Sequence, residues 1–168
     1  MQNRNDLIKR LEEIIVDLNE NTRFSETKNF IQHGNTSVYD HVISVAIKSI
    51  DIAFKYNLDV DYDSLIRGAL LHDYFLYDWH DGKKERQVHG FTHPKIALRE
   101  ASKDLDLNEI EKDIIVKHMF PLTVIPPKYK ESWIVTTADK IVSTTETIYR
   151  NREAKIRFGA DLWNFLNL

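Results

Sequence analysis

The sequence predicts an all-α domain, and three observations support this prediction. Apolar residues recur at helical spacing along the whole chain, the 168 residues include only five glycines, and no alternating strand-type pattern is longer than residues 133–135. A bundle of roughly seven or eight helices accounts for the periodic segments. Because 42% of the residues are hydrophobic, the chain can bury one sizeable core, and we expect a single domain over residues 1–168.

Each predicted helix rests on apolar residues at helical spacing, and several follow a residue that favours an N-cap. In chain order we place the helices at 5–20, 24–32, 38–57, 65–73, 93–103, 109–118, 131–150 and 153–168. The expected capping residues are Asn35, Thr36 and Ser37, then Asp61 or Asp63, then Thr92 with Pro94 in the first turn, and Asn108. Gly34 is the expected end of the second helix. Only a short turn separates the third and fourth helices, so we expect them to be antiparallel neighbours.

Composition argues against several classes of protein. The net charge of −3 and the pI near 6.2 give no overall basic field, which disfavours a long nucleic-acid partner. The absence of cysteine excludes disulfides, thiolate nucleophiles and cysteine-type zinc sites. The first residues are polar, and no apolar run approaches the roughly 18 residues of a membrane span. We therefore expect a cytoplasmic protein with no membrane partner.

Two irregular stretches are expected between helices. Residues 74–91 combine aromatic rings, cations and spare histidines, which would suit the base and phosphates of a nucleotide. A solvated loop with its aromatic rings in the core is the alternative. The aromatic residues are Tyr74, Tyr77 and Trp79, the cations are Lys83, Lys84 and Arg86, and the histidines are His80 and His89. The second stretch, 119–127, is apolar and stiffened by proline, and we expect it to form the wall of a pocket.

The helix at 65–73 ends in a histidine next to a carboxylate, His72-Asp73. Gly68 and Ala69 lie on the same helix and should allow a second helix to approach closely. Adjacent helical residues point about 100° apart, so this pair can reach one ion just beyond the helix end. A buried histidine beside a capping aspartate is the competing interpretation of the dipeptide alone.

Neighbouring helices carry further histidines and an aspartate. His41 shares a helix face with apolar residues, His93 opens one helix and His118 closes the next. Asp139 lies beside an apolar stripe, where a carboxylate is costly unless it meets a cation. With His72 and Asp73, these residues provide four imidazoles and two carboxylates. Nitrogen and oxygen donors without thiolate fit iron, manganese, zinc, cobalt or nickel better than calcium or magnesium.

The order His41, His72-Asp73 and a distant Asp139 resembles the HD superfamily of metal-dependent phosphohydrolases, whose members are all-helical. The resemblance covers residues 35–150 and leaves helices for packing at both ends of the chain. It implies an HD-type helical bundle with metal ligands on several helices.

The additional His93 and His118 resemble the branch of that superfamily that holds two metals, which includes cyclic-dinucleotide phosphodiesterases and diadenosine-tetraphosphate hydrolases. No Gly-Tyr-Pro tripeptide occurs in the sequence, which argues against the cyclic-dinucleotide members. The resemblance implies two divalent transition metals, with iron or manganese favoured, and makes Asp73 the catalytic residue. The implied ligands are His41, His72, Asp73 and Asp139 for one metal, and His93, His118 and the bridging Asp73 for the other.

The activity that the resemblance implies is hydrolysis of a phosphoester or phosphoanhydride by a hydroxide held between the two metals. The substrate would be a nucleotide or another small phosphorylated metabolite. Lys83, Arg86 and Lys140 are candidates for binding its phosphates, although Lys140 fits a surface position equally well. Arg67 is expected in a structural ion pair. His33, His80 and His89 are expected at the surface, with a role as a proton donor or in supporting a metal ligand as the alternative for His80 or His89. A non-catalytic, metal-containing sensor that binds a nucleotide is the alternative function, and a structural role for the histidines is the third.

Overall fold

The computed structural model describes residues 3–33, 36–78 and 89–148 of the chain. These residues form six α-helices, one 3-10 helix and a small antiparallel sheet, so the predicted all-α fold is confirmed. The helices are α1 (Arg4–Asn21), α2 (Val38–Lys55), α3 (Tyr62–Leu71), α4 (His89–Asp104), α5 (Glu109–Lys117) and α6 (Lys130–Ile148). The 3-10 helix spans Phe24–Asn29, and the strands are β1 (Ile31–His33) and β2 (Thr36–Ser37). The predicted helix at 153–168 lies outside the described residues.

Polar side chains begin three of these helices at predicted positions. Each accepts a hydrogen bond from a main-chain N–H of the first turn, which would otherwise lack a partner. The caps are Ser37 for α2, Asp61 for α3 and Asn108 for α5. Asp63, the alternative cap of α3, instead pairs with Arg10 of α1 at 2.7 Å.

The predicted helix at 24–32 is wrong in its second part. The chain forms the 3-10 helix Phe24–Asn29 and then becomes extended as β1. The Thr27 hydroxyl donates to the carbonyl of Phe24 at 2.6 Å, which satisfies the main chain within a single tight turn. Side chains alternate once the chain is extended, so Ile31 is exposed and Gln32 is buried.

Helix α4 begins at His89, three residues before the predicted cap at Thr92. Pro94 therefore lies inside the helix and not in its first turn. The proline removes the hydrogen bond from its own nitrogen, yet the helix includes the five residues before it. The helix therefore extends further towards the N-terminus than the proline position indicated.

Packing around α2 and α5 holds the bundle together. Helix α2 packs against α3 and α6, and α5 packs against α3, α4 and α6. A Cβ atom at Gly68 would overlap the side chain of Ile114, so the expected close approach of a second helix is that of α5. Arg67 forms the expected ion pair, with Glu111 at 3.1 Å, and joins the same two helices. No helix in the described ranges is long and apolar enough to cross a membrane.

Candidate metal centre

Six buried side chains from five helices meet in one cluster. None of them is more than 7% exposed, which is unusual for so many titratable groups. The six are His41 on α2, His72 and Asp73 at the end of α3, His93 on α4, His118 at the end of α5 and Asp139 on α6. The predicted residues are thus brought together, although they span 99 positions from His41 to Asp139 in the sequence.

Two of the histidines are oriented in the same way by the ends of their helices. His72 follows the last residue of α3, and its Nδ1 donates to the carbonyl of Ala69 at 2.7 Å. His118 follows the last residue of α5, and its Nδ1 donates to the carbonyl of Ile115 at 2.8 Å. Carbonyls of a last helical turn have no intrahelical donor, so each ring satisfies its own helix end. Each Nε2 is thereby directed into the cluster.

His41 is oriented by a different acceptor. Its Nδ1 lies 2.9 Å from Oε2 of Glu146 on α6, so the carboxylate accepts the ring proton. Its Nε2 lies 3.2 Å from Oδ1 of Asp139, which also accepts a hydrogen bond from the Ser143 hydroxyl at 3.1 Å. Helix α6 therefore holds both nitrogen atoms of His41 against carboxylates.

Asp73 lies between two sets of histidines. Its Oδ2 is 3.4 Å from Nε2 of His72 and 3.8 Å from Nε2 of His41, which makes a first group of His41, His72 and Asp73. Its Oδ1 is 3.1 Å from Nε2 of His93 and 3.5 Å from Nε2 of His118, which makes a second group of Asp73, His93 and His118. Each carboxylate oxygen thus faces a different group, and Asp139 borders the first.

The histidines of the first group favour the protonated state. Burial opposes protonation of His41, but hydrogen bonds to Asp139 and Glu146 outweigh it and raise its pKa to about 9. Burial also opposes protonation of His72, and the negative charges of Asp73 and Asp139 raise its pKa to about 10. Both rings are therefore cationic at neutral pH when only protons compete for them.

The second group is electrostatically different. Burial lowers the pKa of His118 to about 3, and the charge of Asp73 opposes this only in part. Its Nε2 lies 2.8 Å from Nε2 of His93, so the two rings direct nitrogen atoms at each other. Burial would raise the pKa of Asp73, but the neighbouring His72 and His93 hold it well below its usual range.

The donor atoms fit a divalent transition metal. Within the described residues, neither the buried Nε2 of His72 nor Oδ1 of Asp73 has a partner in good hydrogen-bond geometry. Oδ1 of Asp73 lies 3.1 Å from Nε2 of His93, and the other contacts of these two atoms, at 3.4 to 3.8 Å, are beyond the usual hydrogen-bond distance of about 3.2 Å. Two ligand atoms that each lie about 2.1 Å from one metal are separated by about 3.0 to 3.4 Å. Nitrogen and oxygen donors at such spacings can hold metal, and the identity of the metal is not fixed by the donors.

Two contacts of the cluster were not predicted, one buried and one partly buried. Gln32 of β1 donates its side-chain amide to Oδ2 of Asp73 at 2.5 Å, and Glu146 accepts from His41. Glu146 lies seven residues, or two helical turns, after Asp139, so helical spacing alone places both on one face. Gln32 had no comparable signal, because it lies on a strand where a helix was expected.

The structure describes only some of the residues predicted to contact a substrate. Lys140 is half-buried, and its ammonium donates to the carbonyl of His118 at 3.0 Å, while burial lowers its pKa. Tyr74 is fully buried and its hydroxyl donates to Asp104 at 2.6 Å, so the interpretation of its ring as a stacking surface is wrong. Lys83 and Arg86 lie outside the described residues, as do Trp79, His80 and the side chains of His33 and His89.

Taken together, the bundle and its cluster define a class of all-α domain that carries histidine and aspartate side chains suited to divalent metal. A comparison with family models gives the family. The HD domain model matches residues 38–143, more than half of the chain, and the chain therefore belongs to the HD domain family. No curated protein and no solved structure matches the chain.

Proposed function

We propose that this protein is a metal-dependent phosphohydrolase that acts on a nucleotide or another small phosphorylated metabolite. The observation that carries the proposal is the position of Asp73, whose two oxygens face two separate groups of histidines. A carboxylate shared in this way suits a pair of metal ions, and members of the HD domain family are mostly hydrolases.

In this proposal the predicted residues hold two metals. His41, His72 and Oδ2 of Asp73 would hold the first with Asp139, while His93, His118 and Oδ1 of Asp73 would hold the second. When bound, two such metals supply an activated water and neutralise the charge of a phosphate group. Iron or manganese is our preferred metal, because imidazole and carboxylate donors without thiolate suit either.

The chain's own residues supply orientation in this proposal. The Nδ1 protons of His72 and His118 are fixed by main-chain carbonyls, which leaves their Nε2 atoms for the metals. Asp73 fixes the distance between the two groups, since one oxygen of its carboxylate faces each group. Lys140 uses one of its three N–H donors on His118, and we propose that the remaining donors contact a substrate phosphate. Lys83 and Arg86 remain predictions for the same role.

A combined metal and substrate assay tests the proposal. Protein purified after iron or manganese loading is assayed for phosphate release from mononucleotides, dinucleoside polyphosphates and sugar phosphates. We expect release from at least one class, lost after chelation and restored by metal. Nucleotide binding without turnover in the loaded protein would favour the sensor, the alternative function. Absence of bound metal would contradict both functions.

A further inference from the structure

We propose that Glu146 is a positioning residue that sets the affinity of the first metal by holding His41. The inference rests on the proposed metal centre and concerns a residue outside the 38–143 segment that defines the family. Glu146 lies near the end of α6, and its side chain is 13% exposed, whereas that of His41 is fully buried. The contact between them, 2.9 Å from Oε2 to Nδ1, is a charge-assisted hydrogen bond.

The contact fixes which nitrogen of His41 faces the metal centre. A carboxylate accepts but does not donate, so Nδ1 must carry the proton. In the neutral ring that binds metal, the lone pair is then on Nε2, the atom that faces Asp139 and Asp73. Without an acceptor at Nδ1, the proton is free to move to Nε2, and that tautomer cannot bind metal there.

The contact also distinguishes His41 from the other oriented histidines. His72 and His118 donate to main-chain carbonyls, which are neutral and which no side-chain substitution removes. The acceptor at His41 is an anion, so it also increases the electron-donating strength of the ring. We infer that the Glu146 contact strengthens the hold of the first metal on His41 of α2.

Helix α6 is arranged to deliver this contact. Asp139, Ser143 and Glu146 lie at positions i, i+4 and i+7, which form one helical stripe. Ser143 donates to Asp139, Asp139 faces Nε2 of His41, and Glu146 faces Nδ1 of the same ring. Residues of this stripe therefore contact both ring nitrogen atoms of His41. The competing explanation is that Glu146 only joins α6 to α2 and has no effect on metal binding.

Metal affinity separates these explanations. The full-length protein is stripped of metal, and the dissociation constants of both manganese ions are measured by competition with a chelator. We expect the first metal to be the tighter-bound ion, because more carboxylates surround its histidines. Glu146→Ala should weaken binding of this ion about 10- to 100-fold, the usual effect of losing such a partner, with binding of the second ion changed far less. Glu146→Gln keeps an acceptor of the same size and should recover part of the loss.

Two control variants test whether any substitution on α6, or the loss of any one carboxylate, changes metal affinity. Thr144→Ala changes an exposed position of the same helix, and Glu20→Ala removes one exposed carboxylate of α1, so neither should change metal affinity by more than about twofold. If Glu146→Ala does not fold, the affinity of the isosteric Glu146→Gln decides the question, and a loss beyond both controls is expected.

The measurements distinguish failure of the proposed function from failure of the inference about Glu146. Wild-type protein that binds no metal would overturn the proposed function itself. Wild-type protein that binds two metals, with Glu146 variants that bind both as tightly as the controls, would overturn this inference alone. A melting temperature that falls in the Glu146 variants while metal affinity stays unchanged would assign the residue to helix packing.

Discussion

The first and second groups share Asp73 but differ in the negative charge around their histidines. The first is bordered by Asp139 and Glu146, and the pKa values of its two histidines are raised by these carboxylates and by Asp73. In the second, burial dominates and the pKa of His118 falls to about 3. The comparison teaches that carboxylates beside a buried imidazole can outweigh the cost of burying its positive charge, whereas at His118 burial prevails. We expect the first group to bind metal more tightly but to compete with protons for it.

Loss of Asp73 should have the largest effect, because it removes the residue that the two groups share. Asp73→Ala should lose both metals and at least about a thousandfold in activity, which corresponds to roughly 4 kcal/mol of activation barrier. Metal content and phosphate release are measured side by side. Asp51→Ala, which removes an exposed aspartate of α2, is the control and should retain both metals. An Asp73→Ala variant that retains both metals would show that the groups are independent.

Removal of metal should destabilise the protein strongly. Without metal, buried carboxylates and imidazoles face one another in place of a shared cation. At a free metal concentration about 100 times the dissociation constant, binding adds about 2.7 kcal/mol to the free energy of unfolding. For a chain of this size that corresponds to about 5 to 10 °C in melting temperature. An unchanged melting curve after chelation would argue against a buried site.

The pH dependence should separate the two groups. The raised pKa values of His41 and His72, about 9 and 10, exceed the unfolded value near 6.5. Protonation of these rings therefore stabilises the metal-free protein below pH 6.5, and this contribution is lost as pH rises through 9 to 10. Affinity of the first metal should rise over the same range, because its ligands must lose protons.

The second metal should respond differently to pH. With the pKa of His118 near 3, this ring is already neutral at pH 6.5 and has no proton to release. Chelator competition and melting curves of the metal-free protein between pH 6.5 and 9.5 check both statements. Metal-free protein that becomes more stable as pH rises over this range would contradict the assigned charges.

Substitution of Gln32 should have the smallest effect. Its amide donates to Oδ2 of Asp73, the oxygen that faces the first group, so Gln32→Leu removes one donor from that carboxylate. A hydrogen bond to a charged group contributes about 1.5 kcal/mol or more, and we expect a loss of about tenfold in affinity for the first metal. The second metal should be little affected. An equal loss at both would show that Gln32 positions the whole Asp73 side chain.

The sequence was most informative where helices carry the site. N-caps at Ser37, Asp61 and Asn108 fixed the helix starts, and helical spacing then placed His41, His72 and His118 on inward faces. Those residues could be predicted because local sequence determines both the helix and its buried face.

Features that depend on tertiary contacts were harder to predict. The β1 strand is only three residues long, too short for an alternating pattern to reveal Gln32. Tyr74 was predicted as a stacking surface because its contacts are distant in the sequence: its hydroxyl donates to Asp104, which is 30 positions away. Glu146 has the correct helical spacing from Asp139, but its role is visible only once α6 is packed against His41.

Metal stoichiometry tests the central claim of two groups joined by one aspartate most directly. Elemental analysis of metal-loaded wild type and of His93→Ala and His118→Ala should give two metals for wild type and one for each variant, retained by the first group. If His93 and His118 are only pocket residues, substrate affinity changes while metal content does not. A wild-type content of one metal that His118→Ala does not lower would contradict the account.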